Sequence, residues 1–199
     1  MSQAAIAAGA RIGLRGEQGL DASRLGMLIF IGAETMLFAG FVAAFLVFRL
    51  EAPVWPPPSQ PRLPIEVTGL NTLVLLLSGW TMTGAARAAR EGNRRSMARS
   101  LGLTAALALA FLGVQGFEWV RLIGFGLTAS SGIYGGLFYA VVGAHAIHLA
   151  AALAWLLAIA CRAGRGASVH PGARLPALAI YWYFVVALWP VLYAIVYLA

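Results

Sequence analysis

Long apolar segments alternate along the chain with short segments that carry arginine or proline. Five apolar segments are long enough to cross the hydrocarbon core of a bilayer as helices. They cover residues 25–48, 70–89, 101–123, 134–161 and 175–199. Helices are required because open strands leave their backbone polar groups unsatisfied in lipid. The pattern predicts an all-α integral membrane protein, a bundle of five transmembrane helices preceded by a tail at residues 1–24.

Arginine is concentrated in alternate links between these segments. The tail and the links after the second and fourth segments hold eleven of the fourteen basic residues, and the other side holds three. Because cytoplasmic loops retain arginine, this bias predicts a cytoplasmic N-terminus and a C-terminus outside. We expect the tail to be loosely held.

Composition agrees with a membrane protein. Hydrophobic residues make up 61% of the chain and charged residues 11%, against about a quarter charged in soluble domains. The net charge of +7 comes from arginines that flank the segments, so it indicates lipid headgroups and topology and not nucleic acid. The only cysteine, Cys161, excludes an internal disulfide and a C-x-x-C site.

Proline dominates the link between the first two segments. Six prolines lie between positions 53 and 64, with Trp55 among them. Proline fixes φ and lacks a backbone donor, so the link is predicted to be stiff and extended. A rigid connector is the simpler interpretation, and a docking surface for a partner subunit is the alternative.

Glu34 lies inside the first apolar segment, about 14 Å from its cytoplasmic end by helical rise. A carboxylate at that depth costs roughly 2.5 kcal/mol or more. It is tolerated only if it is protonated or has a partner within the bundle. His148 lies at a similar depth in the fourth segment, and small residues at four-residue intervals around it indicate that another helix approaches. His145, three residues earlier, shares the same helical face.

Glu34, His145 and His148 are therefore candidates for a proton relay or reservoir. The alternative is a buried hydrogen-bonded pair that only holds helices together. A metal site at these three residues has little support, because the sequence places only two histidines and a distant glutamate within the membrane. We predict no metal in this chain.

We predict structural roles for the other polar residues of the apolar segments and their ends. Glu118 and Arg121 are three residues apart and are predicted to form an ion pair on one helix face, with Trp119 in the interfacial aromatic belt. Glu66 and Asn71 are assigned as structural or interfacial polar residues, because hydrogen bonds between helices explain the polar character of the second segment.

Aromatic residues mark the fifth segment. Helical spacing places several of them on one stripe, which we interpret as helix packing and not as a cofactor site. The packing aromatics are Tyr181, Trp182 and Trp189, and the stripe continues through Tyr193 and Tyr197. Pro190 is predicted to kink this helix.

Six sequence pieces, in this order, together resemble subunit III of the haem-copper terminal oxidases, the cytochrome c oxidase family. They are GAETMLFAGF (32–41), WPPP with LPIEVTGLNTLVLLLSG (63–79), EGNRRSM (91–97), QGFEW (115–119), GLFYAVVGAHAIHL (136–149) and YWYFVVALWPVLYAIVYL (181–198). The resemblance covers roughly residues 25–199. It matches Glu34 to the family's membrane-buried glutamate and His145 and His148 to its histidine pair.

The resemblance implies a five-helix form of a non-catalytic subunit without its own cofactors. Haem and copper belong to subunits I and II. The complex would reduce oxygen to water and translocate protons across a bacterial-type plasma membrane, with cytochrome c or quinol as electron donor. This subunit would pack on subunit I, contact subunit II and other subunits, bind phospholipids, and support proton uptake and sustained turnover.

Two positions depart from the family pattern in the last helix. Tyr183 stands where the family has histidine, and Val186 stands where it has aspartate. These departures keep open a related accessory subunit of a nitric oxide reductase. A small membrane transporter is a further alternative, although the chain shows no internal repeat and only one proline, Pro190, beyond the first turn of any segment.

Overall fold

Five helices form the fold in this computed structural model. It describes the backbone of residues 3–57, 60–164 and 174–198 and the side chains of 24–57, 60–161 and 175–198. The helices are α1 (Gln3–Glu51), α2 (Ile65–Arg90), α3 (Arg94–Gly124), α4 (Ile133–Gly164) and α5 (Arg174–Tyr193), followed by a π-helical turn at Ala194–Leu198. Each of the five contains a stretch long and apolar enough to cross a membrane. The predicted all-α class and the five spanning helices are confirmed.

Two helices begin earlier than their apolar segments. Helix α2 begins at Ile65, directly after Pro64, and α3 begins at Arg94. The Asn93 side chain accepts a hydrogen bond from the Ser96 backbone N–H at 3.0 Å, which caps α3. Both helices extend beyond their apolar segments. The arginines that were assigned to the link after the second segment therefore lie within α2 and α3.

The first helix also begins earlier than predicted. Its backbone is helical from Gln3, whereas the apolar segment begins at residue 25. The expectation that residues 1–24 are loosely held stays a prediction, because the side chains of residues 1–23 lie outside those that the structure describes. This stretch is rich in alanine and contains no proline, so nothing interrupts the helical hydrogen bonds that lead into the membrane span. The cytoplasmic location of the stretch stays a prediction.

The proline-rich link packs against the ends of α1 and α4. The described residues between α1 and α2 are not helical, as predicted. The Trp55 ring lies edge-on to Phe45, at 5.5 Å, and to Tyr134, at 4.9 Å. Gln60 Nε2 donates to the Ser131 carbonyl oxygen at 3.1 Å. These inward contacts favour the interpretation as a connector.

Four helices form a closed ring, and the first packs outside it. Contacts join α2 to α3, α3 to α4, α4 to α5 and α5 back to α2, and the α2–α3 contact is the largest. Helix α1 lies on α4 and α5. Only Phe38 and Phe45 are fully buried between residues 24 and 51. The core is therefore formed mainly by α2 to α5, and α1 packs on its outer surface along α4 and α5.

Hydrogen bonds from α5 to α2 run along their shared interface. Three aromatic side chains of α5 donate to α2: Trp182 Nε1 to Ser78 Oγ at 3.3 Å, Trp189 Nε1 to Thr72 Oγ1 at 2.9 Å, and Tyr193 Oη to the Ile65 carbonyl oxygen at 2.9 Å. Each bond satisfies a polar group that lipid could not satisfy. These bonds support the interpretation of the aromatic stripe as a packing feature, and after Pro190 residues Ala194–Leu198 form a π-helical turn.

Polar residues of α2 also contact α3. Asn71 Nδ2 donates to the Phe111 carbonyl oxygen at 3.0 Å, and the hydroxyl groups of Thr81 and Thr104 lie 2.8 Å apart. The expectation that hydrogen bonds between helices explain the polar character of the second segment is confirmed for these residues.

Candidate functional site

The candidate site is a side-chain pair at the seam between α1 and α4. His148 Nε2 lies 2.7 Å from Glu34 Oε2, although the two residues are 114 positions apart. Their side chains are 16% and 15% exposed. The predicted similar depth of the two residues is thereby realised as a direct contact, and both groups retain a small exposed surface on the outside of the bundle.

The hydrogen bonds of Glu34 and His148 determine how many hydrogens the two side chains carry. His148 Nδ1 lies 2.6 Å from the Ala144 carbonyl oxygen. A carbonyl oxygen only accepts, so Nδ1 carries a hydrogen and donates it. One further hydrogen lies between Nε2 and the carboxyl oxygen and forms their hydrogen bond. Either Nε2–H donates to a carboxylate, or the carboxylic acid donates to a neutral ring.

The two forms differ only by the transfer of one proton across the contact between Glu34 and His148. The pair has no net charge in either form, which is the condition that a low-dielectric environment favours. The arrangement can therefore hold a proton within the membrane and can shift it between a carboxyl and an imidazole group.

Phe38 flanks the pair on the side of α1. Its ring lies 5.2 Å from the His148 ring in an edge-on arrangement, and its side chain is buried. Phe38 is four residues after Glu34, so the two side chains share a face of α1. Phe38 was not among the predicted site residues, although its four-residue spacing from Glu34 is a signal that identifies it.

His145 faces a different part of the molecule. Its ring lies 4.8 Å from the Trp189 ring and 6.4 Å from the Phe111 ring, and the residue is fully buried. Within the described residues, neither of its ring nitrogens has a hydrogen-bond partner. Residues three apart on a helix diverge by about 60°, which is enough here to direct His145 into the ring of four helices and His148 towards α1.

The predicted polar residues of α3 lie apart from this pair. Arg121 Nη1 lies 3.1 Å from Glu118 Oε1, so the predicted ion pair forms, with Glu118 buried and Arg121 half exposed. The Trp119 ring packs edge-on against Tyr139 of α4 at 5.8 Å, so this half-buried ring contributes to helix packing. Glu66 is exposed in the first turn of α2.

A buried bond that the sequence analysis did not anticipate joins α3 to the last turn of the chain. Gln115 Nε2 donates to Tyr197 Oη at 3.1 Å, and both residues are buried. Both residues belong to pieces that the sequence analysis selected, but 82 positions separate them. Only the packing of the helices brings them together.

The last helix shows how this chain uses the positions that depart from the family pattern. Val186 packs where α5 approaches α2, and a Cβ atom placed on Gly79 would lie 3.2 Å from Val186 Cγ1. Tyr183 is exposed, at 36%. Tyr181 is buried, and its ring lies 5.8 Å from that of Phe30 on α1. The valine therefore makes an apolar interhelical contact.

Among the side chains that the structure describes, no group of three or more His, Cys, Asp or Glu residues is placed to hold a metal ion. Glu34 and His148 meet as a pair, and His145 faces the core.

Comparison with known proteins identifies the family of this chain. The family model for cytochrome c oxidase subunit III matches residues 5–199. The chain belongs to the cytochrome c oxidase subunit III family. Members of this family are accessory subunits of a respiratory oxidase, an oxidoreductase complex in a membrane, and the resemblance inferred from the six sequence pieces is confirmed.

Individual subunit III sequences match over most of their length. Cytochrome c oxidase subunit 3 of Synechocystis is 31% identical over 182 residues, which cover 89% of this chain and 76% of the relative. The Bacillus subtilis subunit is 31% identical, with 87% of this chain and 84% of the relative covered. The subunit of the elephant Loxodonta africana is 37% identical over 89% of this chain and 69% of the relative.

Proposed function

We propose that this subunit III packs on subunit I of a haem-copper oxidase that reduces oxygen to water and translocates protons. Subunit II and further subunits would complete the complex. The proposal rests on the family match over residues 5–199. In this arrangement the chain carries no haem or copper itself, and the redox chemistry belongs to its partners. Only two of its three histidines lie within membrane spans, which is too few for several haem or copper ligand sets.

The contribution of this subunit is to support proton uptake and sustained turnover. The observation that carries this role is the contact between Glu34 and His148, which holds one proton without net charge inside a membrane span. The small exposed surface of the pair lies at the α1–α4 seam, where a partner subunit or lipid would cover it. Intramembrane ionisable groups mark proton pathways in many membrane proteins.

The proposed orientation follows from the arginine distribution. Eleven of the fourteen arginines lie on the side that contains the N-terminus, so the N-terminus would be cytoplasmic and the C-terminus outside a bacterial-type plasma membrane. The same side would present basic groups to phospholipid headgroups.

Isolation of the native complex tests the partner assignment. Purification in mild detergent, followed by a visible spectrum and mass identification of the companions, should give haem-bearing subunit I and subunit II in equal amounts with this chain. A chain that purifies without a haem-bearing companion contradicts the proposal. A nitric oxide reductase catalytic subunit as the companion would assign the chain to that enzyme instead.

Substitution of the carboxyl group tests the proton role. Glu34→Gln keeps a side chain of the same shape that can donate to His148, but it holds no transferable proton. We expect the assembled variant to inactivate sooner during turnover and to take up protons more slowly than the wild type. Glu66→Gln is the matched control, because Glu66 is exposed at the start of α2, and it should leave both rates unchanged.

Infrared difference spectra of the same two variants give an independent readout. A carboxylic acid C=O band that shifts on proton transfer should be present in the wild type and in Glu66→Gln and absent in Glu34→Gln. Unchanged inactivation and proton uptake in an assembled Glu34→Gln complex would leave the pair with a purely structural role. Failure of that variant to assemble would indicate the same.

A further inference from the structure

A cavity of about 530 Å³ opens where α1 ends and α4 begins. Its walls are the last turn of α1, which contributes Phe48 and Glu51, the proline-rich link, which contributes Trp55 and Gln60, and the first turn of α4 with Tyr134. This is the end of the bundle that is predicted to face the outside. Three parts of the chain that are distant in sequence therefore form one cavity there.

The electrostatics of this cavity favour a positive charge. Glu51 is the only charged residue among the ten that line it, and its side chain is exposed. It is also the last residue of α1, so the negative end of the helix dipole lies in the same wall. Arg49 of the same turn does not line the cavity. Among the described side chains, none forms an ion pair with Glu51.

Aromatic rings and an amide group form the rest of the wall. The Trp55 ring lies edge-on to the Tyr134 ring at 4.9 Å, and the Phe48 ring lies beside them in the lining. Gln60 Nε2 is held by its bond to the loop before α4, and within the described residues its buried Oε1 has no hydrogen-bond partner. Ring faces and carbonyl oxygens both carry partial negative charge. These groups therefore add to the effect of the carboxylate.

A guanidinium group fits walls of this kind. It is weakly hydrated, stacks on aromatic faces and forms paired hydrogen bonds with a carboxylate. A divalent metal ion is less suited, because calcium and magnesium take six or more oxygen ligands and the lining supplies one carboxylate. The volume lies within the range of roughly 300–1,000 Å³ found for small-molecule sites, so it has room for an arginine side chain.

Exposed apolar residues beside the cavity indicate a protein surface as the source of that group. Leu50 and Val54 are mostly exposed, and both lie beyond the predicted first span, which ends at residue 48. Exposed apolar patches mark interaction sites, and protein interfaces combine an apolar centre with enrichment in arginine. A free cation would leave these two side chains uncovered. A partner subunit would cover them and supply the guanidinium group together.

We propose that this cavity receives an arginine side chain of a partner subunit. The guanidinium group pairs with the Glu51 carboxylate and stacks on the rings of Phe48 and Trp55, and the partner covers Leu50 and Val54. The inference rests on the proposed membership of an oxidase complex and adds a docking site at the outer end of this chain. The proline-rich link then has a second role besides that of a connector, because its inward packing holds Trp55 in the cavity wall.

Site-specific photo-crosslinking in the purified native complex tests the site. Ile133 lines the cavity and is exposed, so Ile133→p-benzoylphenylalanine places a photoreactive group there without disturbing the core. Ile123→p-benzoylphenylalanine is the matched control, because Ile123 is exposed near the same end of the bundle and does not line the cavity. Mass spectrometry should identify a partner-subunit peptide that carries an arginine beside the modified residue for Ile133 and not for Ile123. Adducts only with lipid, or with a peptide that has no arginine, overturn the proposal.

Removal of the carboxylate charge tests the pairing. Glu51→Gln keeps the shape of the side chain, and Glu66→Gln is the matched control, because Glu66 is also exposed and does not line the cavity. Native mass spectrometry at fixed salt and detergent follows the dissociation of this chain from the complex. Glu51→Gln should raise the dissociation rate about tenfold, because a hydrogen bond to a charged group contributes about that factor in affinity. The control should match the wild type, and equal rates for the two variants contradict the proposal.

A charge exchange tests the partner residue itself. Replacement of the arginine in the cross-linked peptide by glutamate should accelerate dissociation as Glu51→Gln does, and its combination with Glu51→Arg should restore the wild-type rate. A rate that is not restored shows that the two groups do not pair, and the proposal is then wrong. A complex that contains subunit I but gives no such adduct refutes only the docking site, whereas a chain without haem-bearing companions refutes the proposed function.

Discussion

The hydrogen bond between Glu34 and His148 should appear as a coupling energy in the stability of the chain. Its donor–acceptor distance of 2.7 Å is in the range of charge-assisted hydrogen bonds, which contribute about 1.5–3 kcal/mol in soluble proteins. Measured side-chain hydrogen bonds within membranes average about 0.6 kcal/mol and reach about 1.7. Because this bond is short and only slightly exposed, we expect a coupling of about 1–2 kcal/mol.

A double-mutant cycle isolates this coupling from other effects of the substitutions. The variants are Glu34→Ala, His148→Ala and the combination of both. His148→Ala also removes the contact with Phe38, and each single variant leaves one polar group without its partner at a cost of about 1–3 kcal/mol. The double variant should therefore be less destabilised than the sum of the single variants by the coupling energy.

Unfolding in mixed micelles of mild detergent and dodecyl sulfate provides the measurement. The buried rings of Trp182 and Trp189 supply a fluorescence signal that changes when the helices separate. Thr35→Ala with Ile147→Ala is the control cycle, because both residues are exposed and the Thr35 hydroxyl bonds only within α1. Independent sites add within about 0.3–0.5 kcal/mol. A coupling for the pair as small as that of the control would refute the hydrogen bond.

The same unfolding assay tests the interfaces of α2. Gly79→Ala should destabilise by about 1 kcal/mol, because its new Cβ atom meets an α5 methyl group at 3.2 Å, whereas Gly113→Ala, which meets nothing within 4 Å, should not destabilise. Trp189→Phe should cost about 0.6–1.7 kcal/mol through loss of the bond to Thr72, and an unchanged midpoint would contradict this. Asn71→Leu removes the hydrogen bond to α3 and should cost about 1 kcal/mol or more, measured as a shift of the dodecyl sulfate midpoint.

The membrane spans and the candidate pair were accessible from sequence because lipid imposes simple physical conditions. A single apolar segment in hydrocarbon can satisfy its own backbone only as a helix, so the long apolar segments predict the helices directly. A carboxyl group inside such a segment requires a partner, and helical rise was enough to identify His148 at the depth of Glu34. Depth and desolvation therefore predicted a partner for Glu34, and the packing of α1 on α4 brings His148 to the observed distance of 2.7 Å.

Other features depend on information that hydropathy does not carry. The cap at Asn93 and the start of α2 after Pro64 lie outside the apolar segments, so the ends of these helices were misplaced. The different surroundings of His145 and His148 depend on which helices pack around α4. The ring of α2 to α5 requires helices that are distant in sequence to converge, and no local pattern specifies which helices become neighbours.

The position of α1 has a consequence for biogenesis. In this chain α1 precedes the other four helices, yet its main contacts are with α4, α5 and the π-helical turn that follows α5. His148 is synthesised 114 residues after Glu34, which at 5–20 residues per second corresponds to a delay of roughly 6–23 s. During that delay the carboxyl group enters the bilayer without its histidine, and the neutral acid is the cheaper form to insert. Helix α1 is thus made before the helices on which it packs, and the membrane insertion machinery must accommodate an acidic span until they arrive.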